Sequence, residues 1–148
     1  MASESEILKF YERQYGPFVH MSEPEKAIWL RYLIQGGAIL APFTYDIRVG
    51  DGVDMGPDAT GFEVRTAHAL TTKRIDAIGR RGSTIVIIEV KQRAGLGAIG
   101  QVLGYRDLYL HTFGNSTPVE VLLITDQLQP DMDRILASQS IPFYEVGL

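Results

Sequence analysis

Apolar and polar positions along the 148 residues change period several times, and each change predicts an element. Residues 3–15 place Ile7, Leu8, Phe10, Tyr11 and Tyr15 on one helical stripe, which Gly16-Pro17 stops. Ser22 opens S-E-P-E, a capping box closed by Glu25 with Pro24 in the first turn. The helix it starts runs to about Gln35, with Ala27, Ile28, Leu30, Leu33 and Ile34 on its buried side, Tyr32 flanking and Trp29 in the core. Phe43 to Val49 alternates as a strand, with Phe43, Tyr45, Ile47 and Val49 on one face. Residues 50–61, rich in glycine and aspartate, read as a loop, and the aspartate spacing does not match a calcium-binding loop. Phe62–Leu70 is compatible with a strand or an irregular extension. Thr71–Ile78 and Thr84–Lys91 read as strands joined through Gly79–Ser83, and the apolar run Ile85–Ile88 makes the second strand central. A helix over Ala94–Phe113, a buried strand over Val119–Thr125, a helix from Pro130 or Asp131 to Ser138 and a short strand over Ile141–Val146 complete the series.

The order α, α, β, (β), β, β, α, β, α, β predicts an α/β chain with a mixed central sheet flanked by helices. Residues 1–148 read as one domain: an N-terminal helical extension over 1–20, a core over 22–125, and a C-terminal helix and strand over 126–148. No cysteine is present, which excludes disulfides, thiolate zinc sites and a cysteine nucleophile. No apolar run reaches the ~18 residues of a membrane span. The acidic start Met1–Glu6 has no signal-peptide core, so a cytoplasmic location is expected, or a host cytoplasm for a viral gene. The net charge is −4, but the window from Lys73 to Arg93 carries +4. A basic stretch with two acids inside it is the first hint of chemistry.

Those acids sit oddly. Glu89 and Lys91 follow a buried apolar run, and residues two apart share a strand face. Burying such a charge unpaired costs several kcal/mol. Asp76 is embedded likewise in Arg74-Ile75-Asp76-Ala77-Ile78 on the preceding strand. Two carboxylates on neighbouring strands suit a hard cation such as Mg²⁺, and a lysine beside them can assist an attacking water or stabilise developing charge.

R-I-D-A-I, followed by I-E-V-K twelve residues after the aspartate, resembles the core of the PD-(D/E)XK nuclease superfamily, the restriction endonuclease-like fold. Gln101 and Tyr105, four apart on the next helix, resemble the Q-x-x-x-Y motif of the RecB-type and resolvase-like branches. The resemblance covers roughly Ser22 to Thr125 and implies an αβββαβ core. It implies a metal-dependent nuclease, an endonuclease acting on DNA, with Mg²⁺ or Mn²⁺ held by Asp76, Glu89 and the carbonyl of Val90. It makes Lys91 the catalytic lysine, with Gln101 and Tyr105 orienting it or the scissile phosphate. Glu25, with Glu23 as the alternative, stands where many members add a glutamate on the first core helix. Ile75 stands where many members carry proline. Lys73, Arg74, Arg80, Arg81 and Arg93 are the expected backbone contacts to DNA. A turn centred on Arg81 pairs Asp76 near Val86, ~10 Å short of Glu89, so a bulge or strong twist is expected to close the gap.

Two other readings stand beside this one. A nuclease fold that has lost catalysis would serve as a DNA-binding or assembly protein. Gly95–Gly100 matches G-x-G-x-x-G after a strand, the pattern of a dinucleotide-binding turn. Four residues separate that strand from the first glycine, however, and no acid stands at the usual offset. Otherwise these glycines let helix and sheet approach closely. His20, His68 and His111 show no ligand spacing. Cutting both strands of a duplex would favour a homodimer, because one site cuts one strand.

Overall fold

A computed structural model describes residues 1–147. Two helices lead: α1 (Glu4–Tyr15) and α2 (Glu23–Ile34). Ser3 caps α1 in a reciprocal capping box with Glu6. At α2 the Ser22 hydroxyl accepts from the Glu25 amide at 3.3 Å and donates to the Glu25 carboxylate at 2.9 Å. A 3₁₀ turn over Gly37–Leu40 leads into β1 (Thr44–Val49). Then follow α3 (Gly61–Thr71), β2 (Lys73–Arg81), β3 (Thr84–Lys91), α4 (Leu96–Phe113), β4 (Val119–Thr125), α5 (Met132–Ser138) and β5 (Phe143–Glu145).

The five strands form one sheet in chain order, so β3 is central as its apolar run requires. β1, β2 and β3 are antiparallel neighbours, while β3–β4 and β4–β5 are parallel, joined through α4 and α5. The mixed sheet flanked by helices is the architecture the element order predicts. β3 buries both faces: Val86, Ile88 and Val90 meet Trp29 and Leu33 of α2, while Ile85 and Ile87 meet Ala98 and Val102 of α4 and Leu136 of α5. By that alternation Glu89 and Lys91 face α4. No helix among the described residues is long and apolar enough to cross a membrane.

Several expectations change. Residues Gly61–Thr71 are helical, capped by the Thr60 hydroxyl on the Glu63 amide at 3.1 Å. Ile7 and Phe10 of α1 and Ile34 of α2 are exposed rather than packed. β1 does not keep one face. Phe43 and Tyr45 pack on the α2 side, but Ile47 and Val49 pack on the α4 side. The switch falls at Asp46, whose φ is +55°. A left-handed residue inserted in a strand inverts the alternation beyond it.

Candidate active site

The hairpin between β2 and β3 turns on Gly82-Ser83, with Gly82 at φ +61° supplying the left-handed conformation. Gly79 is not a turn residue. It lies within β2 because a Cβ there would stand 2.9 Å from the Leu40 carbonyl oxygen. The register is therefore Ala77 opposite Ile88, and its continuation sets Asp76 opposite Glu89. The expected three-residue gap does not exist, and no bulge in this hairpin is needed.

The backbone pairing stops just before the two carboxylates. Beyond Ala77–Ile88, the Val90 amide donates to the Asp76 carboxylate at 2.9 Å. On the other side of β2, pairing skips Asp46–Asp76 between Tyr45–Ala77 and Ile47–Ile75. Asp76 thus occupies a local opening in the ladder on both sides. The left-handed Asp46 is tied to His20 at 3.1 Å and to Arg74 at 3.6 Å, and Arg74 donates to His20 Nδ1 at 2.8 Å.

Glu89 is only 5% exposed, and its Oε2 is buried with no hydrogen-bond partner. Burial, then the negative charge and the hydrogen bond of Asp76, raise its carboxyl well above the ordinary range; Glu25 adds to this and Lys91 opposes it. Asp76 is raised too, chiefly by burial and further by the charge of Glu25, against the pull of the Val90 amide, Glu89 and Lys91. The two titrate as a pair. Glu25 is half-buried and close enough for its charge to act on both, whereas Glu23 is exposed and paired with Lys26 at 3.4 Å. Of the two candidates, Glu25 belongs to this cluster and Glu23 does not.

From α4, Tyr105 approaches the pair. Burial, then the charges of Glu89 and Asp76, push its phenol up to about 12, against a hydrogen bond with Gln101. The phenol therefore stays a protonated donor at neutral pH. Gln101 Oε1 is buried without a partner. Gln101 and Tyr105 also line a cleft of about 340 Å³ with Lys73, Gly97, Gly100, Gly104 and Leu108. At Gly97, Gly100 and Gly104 a Cβ would meet nothing within 4 Å. These glycines open α4 to the outside rather than seating it on the sheet. Of the glycines in Gly95–Gly100, only Gly95 answers a close approach: a Cβ there would stand 2.6 Å from Gln129 Oε1.

The basic residues divide. Lys73 lines the cleft, and Lys91 and Arg93 lie at the same end of β3. Arg74 is committed to Asp46 and His20. Arg80 and Arg81 sit at the hairpin end of the sheet, and Arg81 pairs with Glu120. Arg81 stands by Thr84, five residues from Glu89 and thus ~17 Å along the strand. The +4 window is therefore not one surface.

Sequence reasoning passed over the clamp behind the site. Asp126 Oδ1 accepts from the Arg93 amide at 2.7 Å and the Gln127 amide at 2.8 Å, and Thr125 Oγ1 accepts from the Ala94 amide at 3.1 Å. Gln129 closes the same turn through its amides to the Ala94 carbonyl at 2.9 Å and the Arg93 carbonyl at 3.0 Å. This turn carries the chain from Lys91 into α4 and so sets where Gln101 and Tyr105 stand. Its signal was the polar pair Thr125-Asp126 directly after the apolar run Val121–Ile124.

Among the described residues, no three His, Cys, Asp or Glu side chains gather tightly enough to hold an ion by themselves. The fit to a cation rests instead on the partnerless Glu89 oxygen and on a carboxylate pair whose joint ionisation is disfavoured. A divalent ion would relieve both, with water completing its shell.

No family model matches the chain, and no curated protein does. Among solved structures, a repair endonuclease from Pyrococcus abyssi is 19% identical, with a TM-score of 0.50, over 89% of this chain and 50% of its own. The EndoMS–dsDNA2 complex is 18% identical, with a TM-score of 0.49, over 89% of this chain and 48% of its own. The chain thus spans about half the length of the structures it matches, and it shares the fold of the Pyrococcus repair endonuclease over that half.

Proposed function

We propose that this chain is a metal-dependent nuclease, cleaving DNA phosphodiester bonds as an endonuclease at the Asp76–Glu89–Lys91 cluster. The observation that carries the reading is the buried Glu89 oxygen without a partner, set in register beside Asp76 where the ladder opens. Asp76, Glu89 and the Val90 carbonyl would hold Mg²⁺ or Mn²⁺, as in the PD-(D/E)XK pattern that the spacing resembles. Bound there, the ion supplies charge neutralisation at the phosphate and activation of water.

The chain's own groups supply the rest. Lys91, on the same face as Glu89, places an ammonium beside the attacking water and the developing phosphorane charge. The Tyr105 phenol, held protonated, donates toward the substrate phosphate, and Gln101 fixes its orientation. Glu25 adds a third carboxylate at the rim. Lys73 and Arg93 contact flanking phosphates. The fold shared with a repair endonuclease supports the same reading, as does the likeness of the Q-x-x-x-Y spacing. The alternative, a DNA-binding or assembly protein without catalysis, keeps none of these reasons for burying two carboxylates side by side.

A panel of end-labelled single-stranded, duplex, flap and junction DNAs, incubated with Mg²⁺, Mn²⁺ or EDTA, tests the proposal. Internal cleavage that needs the ion and vanishes in Glu89→Gln supports it. Binding without cleavage in every ion would favour the inactive alternative.

A further inference from the structure

Asp76 sits where the ladder opens on both sides, so ordinary strand pairing does not hold it. On the β3 side the Val90 amide meets its carboxylate. On the β1 side the strands are joined instead by three side chains from three segments. Arg74, two residues before Asp76, donates to His20 Nδ1 at 2.8 Å and brings its Nε to 3.6 Å from Asp46 Oδ1. His20 Nε2 stands 3.1 Å from Asp46 Oδ2. Because Nδ1 accepts from Arg74, the ring's own proton is on Nε2, toward Asp46. Both nitrogens are committed, so His20 links its neighbours and has no free nitrogen to carry a proton for a reaction.

The backbone shows what this contact holds. Asp46 is left-handed at φ +55° and His20 at φ +65°. Such conformations are uncommon outside glycine and persist where surrounding contacts fix them. Here the two left-handed residues meet each other through their side chains. Asp46 is level with Asp76, between the pairs Tyr45–Ala77 and Ile47–Ile75. His20 stands two residues before Ser22, the cap of α2, and five before Glu25. The three-way contact therefore joins the strand that carries Asp76 to the turn that launches the helix carrying Glu25. That turn is seated separately by Phe18 and Met21, both buried, with the Phe18 ring 5.6 Å from that of Tyr45. The His20 side chain, 52% exposed, is not part of that apolar seat.

We infer that His20 is a positioning residue: its contact with Asp46 and Arg74 fixes Asp76 and Glu25 relative to Glu89, and so sets how tightly the carboxylate cluster holds a cation. The inference rests on the proposed nuclease reading and adds to it residues that act through the carboxylates. Partners that orient metal-binding side chains in this way are typically worth ~10–100-fold in metal affinity or activity.

His20→Asn keeps a residue type that tolerates the left-handed backbone but is too short to reach from Arg74 to Asp46. Arg74→Lys keeps the charge but loses the fork that faces both partners. Val19→Ala trims the exposed neighbour in the same turn and is the control. Each full chain is titrated with Mn²⁺ by paramagnetic resonance without DNA, and the Mn²⁺ concentration for half-maximal DNA cleavage is measured separately. Circular dichroism checks folding, and either variant alone suffices. The expected result is ion retention about tenfold weaker in His20→Asn and in Arg74→Lys, a matching shift in the half-maximal Mn²⁺ concentration, and wild-type behaviour in Val19→Ala. Wild-type retention in a folded His20→Asn or Arg74→Lys overturns the inference and leaves the nuclease reading standing. Equal loss in Val19→Ala also overturns it, because any disturbance of the turn would then be enough. A wild-type chain that holds no ion overturns the nuclease reading and this inference with it.

Discussion

Replacing Glu89 with glutamine keeps the side chain's shape and removes one of two adjacent buried carboxyls. In the unfolded chain Glu89 ionises near the ordinary ~4.3. In the fold, burial and then the charge of Asp76 hold its proton to higher pH. Above ~4.3 the folded state therefore binds more protons than the unfolded state, and stability falls as pH rises. Each retained proton costs about 1.4 kcal/mol per pH unit, so the wild-type chain loses roughly 2–3 kcal/mol between about pH 5 and pH 7. That is a large part of a typical ~5–15 kcal/mol total. The substituted glutamine carries no such proton, and its amide N–H can still donate to Asp76 as the retained proton does. The variant is expected to be about 2 kcal/mol more stable at pH 7, with a much flatter profile. Trp29, the one tryptophan and fully buried, reports urea unfolding by fluorescence. Mg²⁺ should raise the wild-type midpoint at pH 7 and leave the variant's unchanged. A variant that is less stable than wild type, with the same slope against pH, would refute the electrostatic account of the pair.

Asp126→Ala removes the acceptor for the Arg93 and Gln127 amides, which should cost about 2 kcal/mol in urea unfolding and lower cleavage by displacing α4. Gly100→Ala should stabilise by up to ~1 kcal/mol, because a Cβ there meets open space, and lower the affinity for DNA if the bare helix backbone lines the substrate path; melting and binding curves read the two effects separately. Lys91→Ala should lose ~10²–10³ in the rate of the cleavage step in single-turnover assays while melting as wild type does. Affinity for DNA should fall with salt at a log–log slope near about −3, from contacts by Lys73, Lys91 and Arg93, and Arg81→Ala should leave that slope unchanged because Arg81 sits by Glu120 at the far end of the sheet.

How much of this was legible in the chain differs from element to element. The central strand announced itself, because only burial on both faces explains Ile85–Ile88. Asp76, Glu89, Lys91, Gln101 and Tyr105 could be picked out because ionisable groups in apolar strands, and a matched pair on a helix, break the expected pattern. The register could not be read, because Gly79 looks like a turn residue while its actual reason, the nearness of Leu40, is a tertiary contact. α3 escaped notice because periodicity is imposed by a core, and this helix has almost none; the Thr60–Glu63 cap was its one local sign. The face switch in β1 depends on a left-handed aspartate that no propensity foretells. Charge along the chain also misled, since neighbours in sequence from Lys73 to Arg93 lie at opposite ends of a hairpin.

Manganese paramagnetic resonance gives the most direct reading of the carboxylate pair. Titrating Mn²⁺ into the wild-type chain should show one ion retained per chain, competed by Mg²⁺, and retention should drop at least about tenfold in Glu89→Gln and in Asp76→Asn while both remain folded. Equal retention by all three proteins, or none by the wild type, would contradict the claim that these two side chains form a cation site.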